Sequence, residues 1–268
     1  MHLLKKLNQK SGTEMANRAN DLTGKEWLQN SFSIWRDLKK TQEEKNLGHP
    51  ASYPISLCEK LIKTFARNNC NVLDPFNGVG TTMVAAENLG CNGTGIDLSE
   101  EYCNIARKRI TSDKIKIYQG DSFKLVNSLE KNSFDLVVTS PPYWDILNQK
   151  RTVDQKNNIN YSDKNNDLGN IDDYWKFIES LKNLFANIYP LLKHKSYCLI
   201  NVMDLRKGSN FYSFHSDLAY ALKDVGYIFD DLIIWDRQAD YNNMKTLGYP
   251  YKFRINKVHE YILIMYKE

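Results

Sequence analysis

From about Cys70 onward, short β-branched runs alternate with stretches of helical periodicity, and this alternation leaves the chain few architectures. The strand-like runs are CNVLD (70–74), GTGID (93–97), KIKIY (114–118), FDLVVTS (134–140), SYCLINVM (196–203), FDDLIIWD (229–236) and EYILIMYK (260–267). Helical patterns lie between them at 81–90, 99–110, 121–130, 171–192 and 213–226. Strands that alternate with helices pair in parallel through crossovers. The expected fold is therefore α/β: a doubly wound, mostly parallel sheet of seven strands with helices on both faces. The last two strands are separated by 23 residues without helical pattern, too few for a crossover helix and its loops, so the seventh strand is expected to run antiparallel.

With 268 residues, 42% hydrophobic and 25% charged, the chain suits one large soluble domain. A formal charge of +4 permits a polyanionic partner without demanding one. The cysteines, Cys58, Cys70, Cys91, Cys103 and Cys198, lack C-x-x-C spacing, so neither a disulfide framework nor a zinc site is expected. His49, His194, His215 and His259 show no metal-ligand spacing, and no metal is expected. No stretch has the length of a membrane span and the opening residues lack a signal peptide, which together point to a cytoplasmic location.

The first strand ends in VLDPFNGVGTT (72–82), where Gly78 and Gly80 let the backbone approach a ligand and a helix begins near Thr81. Asp97 ends the second strand 17 residues beyond Gly80, placed either to meet ribose hydroxyls or to cap the next helix. The third strand ends in YQGDSF, where Asp121 and Ser122 face the same pair of readings, an adenine edge or a helix cap. Three consecutive strand ends with Asp beside one Gly-rich turn argue for a nucleoside cofactor. The fourth strand runs into VTSPPYW (138–144), whose two prolines stop the ladder in a stiff segment.

Here the sequence resembles the S-adenosylmethionine-dependent amino methyltransferases of DNA, in the DPFNGVGTT turn and in Ser140, Pro141, Pro142 and Tyr143. The likeness extends to GHPASYPISLCEKLI (48–62) and, near the end, to NVMDLRKG, LIIWDR and NKVHEYILIMYK. It implies a Rossmann-like methyltransferase domain over 48–268, preceded by an N-terminal extension at 1–47. The cofactor turn precedes the catalytic segment, an order similar to the family's γ class. The resemblance implies that Asp74, Phe76, Gly78, Gly80, Thr81, Thr82, Asp97, Asp121 and Ser122 hold S-adenosylmethionine, with Pro50, Tyr53 and Pro54 over its methionine end.

An exocyclic amino nitrogen is a poor nucleophile because its lone pair is conjugated into the ring. The Ser140 oxygen and the Pro141 carbonyl can accept its hydrogens and turn the lone pair toward the methyl, and Pro142 stiffens the loop that aims them. Tyr143 offers a face for an extruded base, and Trp144 either extends that wall or packs in the core. Ser at the first position leans toward cytosine N4 by resemblance, with adenine N6 the alternative. An RNA or protein-glutamine amino methyltransferase and a non-catalytic nucleic-acid-binding module are the competing readings.

For nucleic acid, residues 237–258 carry Arg237, Lys245, Lys252, Arg254 and Lys257 interleaved with aromatics. The Asn- and Lys-rich stretch 145–170, with Lys150 and Arg151, is a second candidate insertion. The expected partners are double-stranded DNA and, in a restriction–modification system, a cognate restriction endonuclease. A monomer and a homodimer both accommodate these features.

Overall fold

The computed structural model describes residues 18–47, 52–144, 168–240 and 246–268. Among them the strands are β1 (Ile34–Trp35), β2 (Asn71–Asp74), β3 (Asn92–Asp97), β4 (Ile115–Gln119) and β5 (Phe134–Thr139). They continue with β6 (Leu192–Val202), β7 (Leu205–Lys207), β8 (Asn210–Tyr212), β9 (Ile228–Asp236) and β10 (His259–Lys267). The helices are α1 (Gly24–Asn30), α2 (Gln42–Asn46), α3 (Ile55–Phe65) and α4 (Thr81–Asn88), then α5 (Glu100–Arg109), α6 (Ser122–Leu125), α7 (Tyr174–Ile188) and α8 (Phe214–Lys223).

The main sheet has the order β1-β9-β10-β6-β5-β2-β3-β4. All seven expected strands are present, and β10 runs antiparallel to both β6 and β9, as the short connection required. The sheet nevertheless has eight strands rather than seven. Ile34 and Trp35 add a parallel edge strand beside β9, from within the segment read as an extension. Two residues give no periodicity to read; the strand shows only in its pairing with β9, which places Trp35, 1% exposed, in the core. A separate antiparallel hairpin, β7–β8, was likewise not legible.

Successive strand residues feed opposite cores, the mark of a sheet covered on both faces. Leu73, Val137, Cys198, Ile200, Leu263 and Met265 pack against Phe177, Leu181 and Phe185 of α7 and Phe214 and Leu218 of α8. Val72, Leu136, Val138, Leu199, Ile262 and Ile264 pack against Leu57, Leu61 and Ile62 of α3 and Met83 and Ala86 of α4. Helix α3 starts at Pro54, which has no side-chain cap to offer. The cap comes from buried Glu44, whose carboxylate accepts from the Ile55 N–H at 2.6 Å and the Thr41 N–H at 2.8 Å. The N-terminal segment thus closes the helix that lies beneath the site.

Because β9 is parallel to β6, the carboxyl ends of β2, β3, β4, β5, β6 and β9 share one edge with the start of β10. Ligands of open α/β sheets bind along this edge.

Candidate active site

The Gly-rich turn after β2 is held open by backbone conformations that favour glycine. Gly78 has φ +51° and Gly80 φ +82°, and no side chain caps the amino end of α4 that follows. The Gly78 N–H donates to Asp97 Oδ2 at 2.7 Å, while Asp97 Oδ1 accepts from the Ser99 N–H at 2.9 Å. The cap of α5 is Ser99, whose hydroxyl accepts from the Tyr102 N–H at 3.3 Å, and not Asp97, which instead steadies the turn before it while its carboxylate stands at a strand end beside the glycines. Asp121 accepts from the Phe123 N–H at 3.0 Å at the next strand end. Ser122 is buried and its hydroxyl donates to the Pro75 carbonyl at 2.5 Å, so it braces the turn. An open turn flanked by two carboxylates fits the ribose and base of a nucleoside cofactor.

Beneath the turn, Asp74 is buried and accepts from the Thr82 hydroxyl (2.6 Å), the Thr139 hydroxyl (2.7 Å) and the Phe76 N–H (3.0 Å), with the Tyr53 hydroxyl at 3.2 Å. Thr139 immediately precedes Ser140, so one carboxylate ties the cofactor turn to the Ser-Pro-Pro-Tyr loop. Tyr53 and Thr82 commit their hydroxyls to this knot, 2.6 Å apart, and support the cradle from below. Phe76 is half-buried against the α7–α8 core, and Thr81 and Pro54 are buried. Pro50 lies outside the described residues.

Burial raises the Asp74 carboxyl above its ordinary range, partly offset by the hydroxyls and the N–H that bind it. A carboxyl whose folded pKa exceeds its unfolded one contributes stability below the unfolded value that is lost as pH rises through the folded one. Asp74→Asn, always neutral, removes that slope. Its stability cost relative to the native chain should be largest near about pH 4 and shrink toward about pH 8, as read by urea unfolding. A cost that grows with pH would contradict this account.

Ser140 follows β5; its hydroxyl can donate to the Asn201 main-chain carbonyl of β6 at 3.1 Å or to the Tyr143 hydroxyl at 3.3 Å, and its oxygen accepts from Asn201 Nδ2 at 3.5 Å, which leaves a lone pair for a further donor. Tyr143 donates to Glu260 Oε2 at 2.8 Å, and Asn201 Nδ2 reaches both the Tyr143 hydroxyl (2.9 Å) and Glu260 Oε2 (2.5 Å). Arg237 pairs with the other oxygen of Glu260 and, at 3.5 Å, with Asp240. Burial first, then the Glu260 charge, pushes the Tyr143 phenol well above its ordinary pKa. It stays a neutral donor, which suits a stacking platform and not a base.

Asn201 and Glu260 were missed in the sequence because neither sits in a recognisable turn; each occupies a strand and meets Tyr143 only across the sheet. Arg237, read as a phosphate contact, instead has its guanidinium engaged by Glu260 and Asp240 and set 4.8 Å over the Trp235 ring. Of the two readings of Trp144, the core one holds: it is 4% exposed, donates to the Ile171 carbonyl at 2.7 Å and meets Tyr174 and Tyr212 edge-on. Lys252, Arg254 and Lys257 lie on the β9–β10 connection, which rises from the same edge. Lys150, Arg151 and Lys245 lie outside the described residues. Among the described residues no cluster of His, Cys, Asp and Glu could hold a metal ion, and no helix is long and apolar enough to cross a membrane.

A family model described as DNA methylase, of the N6/N4 type, matches residues 2–108 and 134–268, and a methyltransferase-domain model matches 73–155. The chain is 40% identical over 81 residues to the Type II methyltransferase M2.DpnII of Streptococcus pneumoniae, covering 30% of each. It is 34% identical over 100 residues to the orphan methyltransferase M.BamHII of Bacillus amyloliquefaciens, covering 35% of this chain and 38% of that one. A solved SAM-dependent methyltransferase from Methanosarcina mazei aligns over 77% of this chain and 96% of its own, with 14% identity and a TM-score of 0.49. The chain spans about a third of the length of these curated relatives. With the family model covering most of its length, the chain belongs to the S-adenosylmethionine-dependent DNA amino methyltransferases.

Proposed function

We propose that the chain methylates an exocyclic amino nitrogen of a base extruded from double-stranded DNA, with cytosine N4 as its target. The observation that carries this reading is the placement of Ser140: its hydroxyl hydrogen has the Asn201 main-chain carbonyl at 3.1 Å and the Tyr143 hydroxyl at 3.3 Å as acceptors, and beside the 3.5 Å contact from Asn201 Nδ2 its oxygen keeps a lone pair for an amino hydrogen of a substrate. S-adenosylmethionine, when bound, supplies an electrophilic methyl on a sulfonium sulfur. Asp97 and Asp121 would meet its ribose and base, and the turn at Gly78 and Gly80 would admit its backbone-facing side.

The protein's own groups then act on the amino group. Ser140 Oγ and the Pro141 carbonyl accept its two hydrogens, which draws the lone pair out of conjugation and stabilises positive charge growing on nitrogen. Tyr143, fixed through its hydroxyl by Glu260 and Asn201, holds the base by its ring. Cytosine N3/N4 and adenine N1/N6 present the same acceptor and donor, so the choice between them falls to pocket size; Ser140 favours cytosine through the family resemblance of its segment. The same reading accommodates a modifying role beside a cognate endonuclease and a solitary one.

Incubation with labelled cofactor and duplex DNA, followed by mass spectrometry of the nucleosides, should yield N4-methyldeoxycytidine. N6-methyldeoxyadenosine would reassign the base, and no transfer to DNA would overturn the reading. Ser140→Ala keeps the Pro141 carbonyl but removes one acceptor, and should lower kcat on the order of 10²-fold with cofactor affinity unchanged.

A further inference from the structure

The β7–β8 hairpin plays no part in the chemistry described above, yet it is built onto the catalytic segment. Lys207 Nζ lies 4.3 Å from the Trp144 ring centroid, and Tyr212 meets that ring at 5.0 Å. The far side of the hairpin carries the connection between β9 and β10. Arg254 donates to the Gly208 carbonyl at 2.7 Å, and Lys257 sits 4.5 Å over the Phe211 ring. A continuous run of contacts therefore leads from Tyr143 through Trp144 and the hairpin to residues 246–257.

The surface of this ridge has an unusual composition. The stretches 205–212 and 246–257 carry Arg206, Lys207, Lys252, Arg254 and Lys257 and no Asp or Glu. Between the cations, Tyr249, Tyr251 and Phe253 are 79%, 95% and 92% exposed. Large apolar side chains so fully presented to water are costly to maintain unless a partner covers them. Cations with no acid among them select a polyanion, and aromatic faces between them suit bases more than phosphates.

We propose that the β7–β8 hairpin and residues 246–257 form one ridge that engages duplex DNA, in which Tyr251 and Phe253 enter the base stack beside the target and occupy the space the extruded base leaves. Lys252 and Lys257 contact the flanking phosphates. The inference rests on the DNA methylation proposed above. Opening a base pair costs stacking and pairing, and an inserted ring offsets part of that cost.

The test uses duplex oligonucleotides carrying the methylated site, found by sequencing modified bases, in two forms: fully paired, and with an abasic position opposite the target base. The double variant Tyr251→Ala, Phe253→Ala should lose about tenfold or more in transfer to the paired duplex. On the abasic duplex, where no pair has to be opened, its deficit should shrink to within about threefold. Equal deficits on both, or none on the paired duplex, overturn the wedge. A native protein that methylates no DNA overturns the function and leaves the ridge to a separate measurement, the salt dependence of duplex binding. There Lys252→Ala with Lys257→Ala should reduce the slope of log Kd against log salt by about 2, and an unchanged slope overturns the ridge. Light scattering covers the remaining occupant: a dimer that the aromatic substitutions dissociate assigns the patch to a second copy of the chain and overturns the proposal.

Discussion

Glu260→Ala should both destabilise the protein and stop most methyl transfer, because Glu260 positions Tyr143. Its carboxylate is buried and takes three donors: Tyr143, Asn201 and Arg237. Removing it takes from the partly buried Arg237 guanidinium its nearer counter-charge, with Asp240 at 3.5 Å remaining, and leaves the Tyr143 hydroxyl and the Asn201 amide to find other acceptors. Breaking a buried pair from one side costs about 3–5 kcal/mol, and the lower end applies because Arg237 keeps some contact with water. The catalytic effect follows from geometry. An unpinned Tyr143 lets the base drift, and a displacement of about 1 Å is worth on the order of 10²-fold in rate.

The conservative variant separates position from stability. In Glu260→Gln one oxygen still accepts from Tyr143, so kcat should recover to within about tenfold of the native value. Thermal stability should recover less, because the charge opposite Arg237 is gone. Cofactor affinity, measured by calorimetry, should hardly move in either variant, since Asp97 and the Gly-rich turn do not touch this network. A Glu260→Ala protein with unchanged kcat would show that Tyr143 is positioned by something else.

The contrast between Asp74 and Glu260 explains how far the sequence could be read. Asp74, Gly78, Gly80 and Ser140 lie where a strand meets a turn, and the turn chemistry announces them: glycines where φ is positive, prolines where a ladder must end. Periodicity likewise delivers the seven longer strands and the antiparallel sense of β10, because those depend on burial pattern and connection length. Glu260 and Asn201 carry no such local signal. They are polar residues within apolar strands, and their meaning arises when β10 is placed beside β6 with Ile262 opposite Asn201. A buried polar side chain inside a strand pattern is the one cue available, and it marks a place to look without saying what it binds. Trp144 is the converse case. Its position next to Tyr143 suggests a place in the base wall, whereas φ of +51° turns it away into the cluster with Tyr174 and Tyr212. The glutamate that caps α3 from eleven residues upstream was hidden for the same reason, since local sequence supplies no partner for Pro54.

Gly80→Ala should be as damaging as the loss of Glu260, by a different route. The residue sits at φ +82°, where an L side chain costs about 1–2 kcal/mol. Its new Cβ would also stand 2.8 Å from Ala106 Cβ and 3.2 Å from Ala106 Cα, where α5 packs against the turn. Overpacking of this kind costs about 1–3 kcal/mol more. The two contributions can be separated, because Ala106→Gly removes the nearer obstacle and leaves the backbone conformation as strained as before. Alone, Ala106→Gly should cost about 1 kcal/mol as a glycine inside a helix. Combined with Gly80→Ala, it should relieve part of the clash, so that the double variant is more stable than the sum of the two single changes predicts. The contact with Ala106 Cα persists in the double variant, which limits the recovery. Cofactor affinity should follow the same order, since the turn that α5 displaces is the one that carries the Gly78 N–H to Asp97. Strict additivity would mean that α5 moves aside without cost and that the left-handed conformation of Gly80, rather than its closeness to Ala106, is what requires glycine there.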